Sequence, residues 1–252
     1  MMSTIALAVV SGVLVGFSLA LIGGGGSILA TPLLLYVVGL SPPHLAIGTS
    51  AAAVCANAAI NLISHGRAGT VRWKSATIFA VVGSIGALIG STIGKAVAGK
   101  HLLLLFGLLM ITVGLLMLRP RKVQASAEPA LRSPLVLATV AMGVGVTAGF
   151  FGIGGGFLIV PGLTFTTGMP MINAIGSSLL AVAAFGLTTA LSYAVSGLVD
   201  WTVAAEFIAG GTIGGLIGLR LAMYLAEYRS ALSRIFSAVI FVVAAYVIYR
   251  SI

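Results

Sequence analysis

Charge is what this sequence lacks most. Only 7% of its 252 residues are Asp, Glu, Lys or Arg, against about 25% in soluble domains. So little charge cannot cover a water-facing surface, and 60% of the chain is hydrophobic. Acid is scarcest, with Glu128, Asp200, Glu206 and Glu227 the whole supply. That leaves no paired carboxylates for catalysis and no acidic cluster for a cation. The single cysteine, Cys55, excludes an internal disulfide and a multi-cysteine metal site. Its apolar setting marks it as a small buried residue. His44, His65 and His101 stand near the ends of apolar runs and share no ligand spacing. No metal or cofactor is expected. Without a nucleotide-binding motif, ATP does not drive the protein directly.

What is present is apolar sequence in runs near the length that crosses a bilayer, about 20 residues. The runs fall at 5–22, 28–39, 44–64, 74–94, 101–118, 134–151, 157–168, 172–194, 201–219 and 232–249. Two of them, 28–39 and 157–168, are too short to cross at a rise of about 1.5 Å per residue. They read as half-spans or re-entrant helices. The expected fold is an all-α integral membrane protein with eight to ten membrane segments. Residues 1–22 carry no Lys or Arg ahead of the apolar run and have a counterpart later in the chain, so they read as a membrane segment and not a cleaved leader. A net charge of +9 would point to nucleic acid in a soluble protein. Here the basic residues lie in short loops, so topology accounts for them and the bilayer is the partner.

The chain repeats itself at an offset of 128 or 129 residues. Pro32 falls on Pro161 and Gly39 on Gly168. Ala46-Ile47-Gly48-Thr49-Ser50 falls on Ala174-Ile175-Gly176-Ser177-Ser178. Gly69 and Trp73 fall on Gly197 and Trp201, and Gly83, Gly86 and Gly90 on Gly211, Gly214 and Gly218. The expected division is a first repeat at 1–118, a polar linker at 119–133 and a second repeat at 134–252. The basic residues orient the repeats. If each short segment returns the chain to its starting side, each half crosses an odd number of times and the repeats are inverted. One side then collects Arg67, Arg72, Lys74, Arg119, Arg121, Lys122, Arg132, Arg220, Arg229 and Arg234; the other keeps Lys95, Lys100 and Arg250. An even number of crossings gives a weaker split, eight to five. The positive-inside rule selects the inverted arrangement, with the linker cytoplasmic and both termini outside. Trp73 and Trp201 then mark opposite interfaces.

Each half carries one glycine-rich break in an apolar setting. The first is Leu21-Ile22-Gly23-Gly24-Gly25-Gly26-Ser27-Ile28 and the second Phe150-Phe151-Gly152-Ile153-Gly154-Gly155-Gly156-Phe157. Runs of glycine break helices, because glycine loses the most backbone freedom on ordering. In lipid such a break is tolerated only against protein or a water-filled cavity. Matched breaks in two halves are a sequence-level pointer to a transporter's binding site. A helix beginning after each break, near Ser27 and near Gly156, offers unpaired N–H groups and a positive dipole end to an anion. The bland alternative is that the glycines only permit tight helix crossing.

The candidate substrate contacts are Gly24, Gly25, Gly26, Ser27 and Ile28 in the first half and Gly154, Gly155, Gly156 and Phe157 in the second. Hydroxyls of Thr49, Ser50, Ser177 and Ser178 join them, although a membrane Ser or Thr commonly bonds a carbonyl one turn back. Asn57 and Asn61 share one helix face and have Phe185 and Thr189 as repeat partners. They either tie helices together or touch substrate; both remain open. Glu206 reads as reaching the outer interface, with a proton shuttle as the alternative. Arg67 and Arg72 serve topology first and substrate attraction second. The spaced glycines at 83, 86, 90 and 94 and at 210, 211, 214, 215 and 218 are assigned to close helix packing, inside the protomer or in a homodimer.

Taken together, the duplicated breaks with Pro32 and Pro161 downstream, and the Ala46–Ser50 and Ala174–Ser178 motifs, resemble the TauE/SafE sulfite exporter family. The resemblance covers nearly the whole chain. It implies an inner-membrane permease that moves sulfur-containing anions such as sulfite, sulfoacetate or organosulfonates. One half rocking against the other around the breaks would give alternating access. A passive anion channel is the nearer alternative. A membrane-embedded enzyme or assembly subunit is the remoter one, and no catalytic constellation supports it.

Overall fold

The computed structural model describes residues 2–22, 24–118, 134–224 and 229–251. These residues form ten α-helices with no strand among them. In order they are α1 (Met2–Ile22), α2 (Ala30–Pro32), α3 (Pro43–Arg67), α4 (Trp73–Ala96), α5 (Gly99–Leu118), α6 (Pro134–Phe151), α7 (Gly156–Thr167), α8 (Met171–Ala194), α9 (Trp201–Tyr224) and α10 (Arg229–Ser251). Five described stretches are long and apolar enough to cross a membrane: Pro43–Arg67, Trp73–Ala96, Pro134–Phe151, Met171–Ala194 and Trp201–Gly218. The chain is an all-α integral membrane protein. The 119–133 linker and Gly23 lie outside the described residues.

Proline and glycine set the helix ends at matched places. Pro43 opens α3 at its first turn, where the missing N–H is no loss. Past α3 the chain turns at Gly69, with φ +68°, and past α8 at Gly197, with φ +70°. Only glycine takes that left-handed backbone without strain. In both turns the next N–H reaches back five residues, Thr70 N to His65 O (3.2 Å) and Leu198 N to Tyr193 O (3.0 Å).

Contacts along the helices give their directions. Gly210, Gly214 and Gly218 of α9 lie on the backbone of Val9, Val13 and Phe17 of α1, so these two run parallel. Gly83, Gly90 and Gly94 of α4 lie on Ala141, Val146 and Phe150 of α6, also parallel. At Gly94 a Cβ would stand 2.5 Å from Phe150 O, closer than side chains tolerate. The glycine series is therefore used within the chain, against neighbouring backbone and against the side chains of Phe185, Asn57 and Asn61. The repeat-equivalent helices α3 and α8 run antiparallel, since Gly48 meets Tyr193, Cys55 meets Gly186, and Thr70 meets Gly176. So do α5 and α10, since Gly107 meets Ile248 and Gly114 meets Phe241.

Two further pairs fix the rest. Asn57 and Asn61 of α3 face Gly211 and Gly215 of α9, and Gly83 and Lys95 of α4 face Phe185 and Ser192 of α8. Thus α1, α3 and α9 share one direction, and α4, α6 and α8 the other. The chain between α1 and α3 must come back to the side where α1 began, and α7 does the same between α6 and α8. The second short segment is one α-helix, as its composition predicts. The first is not: it is a 3-10 helix over Gly24–Leu29, a single α turn, and a π-helical stretch over Leu33–Val37. Four glycines leave the backbone free to wind tightly instead of opening into a loop.

A valine at Gly90 would force its side chain into Val146 O. Gly90→Val is expected to cost about 3 kcal/mol or more, seen as loss of the monodisperse peak in detergent size-exclusion. Gly143→Ala, where a Cβ meets nothing within 4 Å, should leave the peak unchanged.

Candidate functional site

The second break is a tight glycine turn. Gly152, Gly154 and Gly155 take φ of +68°, +63° and +65°. The turn ends at Gly155, which precedes the first residue of α7. The earliest bonds there are donated by Leu158 and Ile159, both to Gly155 O (2.9 and 3.1 Å). The N–H groups of Gly156 and Phe157 therefore stand at the open end of the helix, where anions are favoured. Gly154 sits between Val54 of α3 and Val182 of α8, near the middle of both helices. That places the break midway along the α3/α8 pair.

The first break folds back on its own helix, with Gly26 against Ser18 and Leu19 of α1. Its 3-10 turn also touches α7 and α8, so the two breaks are neighbours. Gly26, Ser27, Ile28 and all of 152–157 are buried, so the conformation is closed over both.

The hydroxyl pairs do something else. Thr49 Oγ1 accepts the N–H of Asp200 (2.9 Å), and Ser177 Oγ accepts the N–H of Arg72 (2.8 Å). Each bond fastens the loop before one half's helix to the start of the other half's helix. Gly48 and Gly176 make room, since a Cβ at either would strike Leu198 or Thr70 of the arriving loop. Ser50 and Ser178 donate one turn back, to Ile47 O (2.9 Å) and Ile175 O (2.8 Å). Ser50 also bonds Thr31 of the first half-span at 2.8 Å. Because α3 and α8 are antiparallel, with Gly48 beside Tyr193, Thr49 and Ser177 lie towards opposite ends of the pair, roughly 24 Å apart by helix rise. They do not share one site with each other.

Asn57 is the outlier. It is fully buried, and among the described residues neither its Oδ1 nor its Nδ2 has a hydrogen-bond partner. Its amide rests on Gly211 of α9, and Gly211 in turn rests on Gly16 of α1. This junction is within one turn of the α1 residues that back the first break. Asn61 is satisfied in part, donating to Asn57 O at 2.8 Å. In the repeat-equivalent place Phe185 packs on Gly83. One half thus carries an unpaired amide where the other carries a phenyl ring.

Asp200 accepts from Thr202 N and Val203 N, both at 3.0 Å, and so caps α9. Glu206 is half-buried on the first turns of that helix. Reading the sequence misses a cluster of His44, Lys95 and Tyr193, because their own spacing follows no motif and only folding brings them together. Repetition of Gly69 and Gly197 after the helices that bear His65 and Tyr193 is the one trace of it.

Removing either cross-half acceptor leaves a loop N–H without its partner. Thr49→Val and Ser177→Ala are each expected to cost about 1 kcal/mol. That corresponds to a fall of about 2–4 °C in the detergent thermal midpoint. Thr49→Ser, which keeps the oxygen, should restore it.

Residues 8–247 match the family model described as sulfite exporter TauE/SafE. A probable membrane transporter protein of Xylella fastidiosa strain 9a5c is 59% identical over 244 residues, 96% of this chain and 94% of that protein. Probable membrane transporter protein YunE of Bacillus subtilis is 28% identical over 83% of this chain and 85% of its own. A further relative from Methanocaldococcus jannaschii is 27% identical over 62% of this chain and 60% of its own. No solved structure matches. The chain therefore belongs to the sulfite exporter TauE/SafE family and is a membrane transporter rather than an enzyme.

Proposed function

We propose that the protein is a secondary transporter for a small sulfur-containing anion (sulfite, sulfoacetate or a sulfonate), working by alternating access in a bacterial inner membrane. The anion is held at mid-membrane, between the first N–H groups of α7 and the amide of Asn57. Asn57 carries the proposal. An amide buried in apolar surroundings costs free energy unless it is bonded. No described residue bonds it in the closed conformation, and a transported oxyanion would accept from its Nδ2. Anionic charge suits the start of α7, and the shortage of acid in the chain speaks against a cation.

The two halves are inverted repeats, 1–118 and 134–252. The antiparallel α3/α8 and α5/α10 pairs support this. So do the described basic residues: Arg67, Arg72, Lys74 and Arg220 fall on one side and Lys95, Lys100 and Arg250 on the other. On the positive-inside rule the first side, with the 119–133 linker, is cytoplasmic and both termini are outside.

The moving bodies differ from the repeats. Each glycine-packed pair, α1 with α9 and α4 with α6, joins one helix from each half. Rocking of one half against the other would tear both pairs. Movement between an α1/α9 unit and an α4/α6 unit keeps them whole. The cross-half bonds at Thr49 and Ser177 then close the two faces in turn.

Asn57→Leu separates the roles of that residue. If the amide serves substrate, the variant keeps or gains thermal stability, by about 1–3 kcal/mol, and loses uptake of labelled sulfite or sulfoacetate into proteoliposomes. Normal uptake by the folded variant would overturn the assignment. A thermal-shift screen of the wild type against sulfite, sulfoacetate, taurine, aromatic sulfonates and carboxylates identifies the substrate. A dependence of uptake on a proton or sodium gradient would exclude a passive channel.

A further inference from the structure

A second polar cluster lies at the opposite end of the α3/α8 pair from Ser177, where α4 ends and α3 begins. Lys95 of α4 reaches across to α8, where its Nζ donates to Ser192 O (2.8 Å) and Ser196 Oγ (3.1 Å). It also stands 5.8 Å from the centroid of the Tyr193 ring. Among the described residues no carboxylate pairs with it. Two of its three N–H donors are held by neutral oxygens, and the side chain is only half-buried. A cation so placed is short of a counter-ion.

Its neighbours are short of partners as well. Tyr193 is fully buried and its hydroxyl has no hydrogen-bond partner among the described residues. His44 of α3, with its ring 6.3 Å from that of Tyr193, bonds Val97 O through Nε2 at 3.1 Å. A carbonyl only accepts, so Nε2 carries the proton. Nδ1 is left screened from solvent and unpartnered. Lys100 and His101, at the start of α5 beside Pro43, are the other titratable groups on this face, and both are exposed. The nearest acid in sequence, Asp200, is committed to capping α9.

We propose that Lys95 and Tyr193 form a second anion-binding site, an entry or exit station for a small oxyanion on the Lys95 face, with His44 on its wall. The Lys95 ammonium supplies charge and the Tyr193 hydroxyl a directed donor. The mid-membrane site has no such charge, because Asn57 is neutral and the other donors there are backbone. The station also brings α3, α4 and α8 together on that face. Its existence rests on its own chemistry. Calling the face external rests on the orientation proposed above.

Anion-dependent thermal stabilisation of purified protein tests it, with sulfite and sulfate as probes and chloride at equal ionic strength as the control. Tyr193→Phe removes only an unpartnered hydroxyl, so the fold should hold. It and Lys95→Gln are each expected to raise the half-saturating sulfite concentration about tenfold or more, as losing a hydrogen bond to a charged group does. Lys95→Arg should recover most of the response. If Lys95 only caps the α8 carbonyls, both variants shift the midpoint equally with and without sulfite and the half-saturating concentration stays put; that overturns the station. A response lost in Asn57→Leu but intact in both outer variants also overturns it, while leaving the mid-membrane site standing. A response kept in Asn57→Leu and weakened in the outer variants supports it, even if the mid-membrane reading fails.

Discussion

Everything in this structure depends on enclosing broken backbone in a solvent that cannot hydrogen-bond it. Each half interrupts a helix inside the bilayer, and every peptide group freed there must meet protein. The molecule answers by bringing helices together without side chains between them. Gly12 and Gly16 of α1 meet Phe207 and Gly211 of α9, and Gly145 and Gly149 of α6 meet Gly83 and Ala87 of α4. With two such pairs drawn tight, α3 and α8 close over the breaks, and the turn at Gly154 lies between Val54 and Val182. Hydrophobicity alone would not do this, since lipid is as apolar as the helices; close packing and hydrogen bonds must.

Onto this near-symmetric frame the chain places a few asymmetric polar groups. Asn57 answers Phe185, and each lies on an equivalent glycine. Lys95 fastens α4 to α8 on one face, and its repeat counterpart is Met223. His65, the counterpart of Tyr193, bonds Thr70 through Nδ1 at 2.9 Å. Since Thr70 Oγ1 donates to His65 O, Nδ1 is the protonated nitrogen, and Nε2 stays buried and unpartnered. Symmetry supplies the container and its two closures. Direction and selectivity have to come from where symmetry fails.

Much of the fold was legible from composition and repetition. Bilayer-length runs and the matched Pro and Gly positions lead to the helices and their order. Gly156 opens a helix as the sequence leads one to expect, because an apolar run inside a bilayer has to hydrogen-bond its own backbone. The first break was harder. Four glycines say that regular α-helix is disfavoured there, but not what replaces it, and a 3-10 turn followed by a π-helical stretch has no distinct pattern. The hydroxyl motifs were seen as a matched pair, yet their use depends on which loop arrives over Gly48 and Gly176. That is a tertiary fact about residues 151 and 105 positions away. Asn57 showed itself as a polar residue in an apolar face. Its lack of a partner appears only once α9 is in place.

The interlacing of the halves also bears on how the protein is made. Helix α1 emerges from the ribosome well ahead of its main partner, α9, which follows about two hundred residues later. Helix α4 likewise waits for α6, and α5 for α10. Until then the glycine faces of the early helices border lipid, which cannot fill them. Insertion can proceed helix by helix, whereas assembly is deferred until the helices of the second half have been made. A truncated product ending at the linker would be inserted yet unassembled, a natural substrate for membrane quality control.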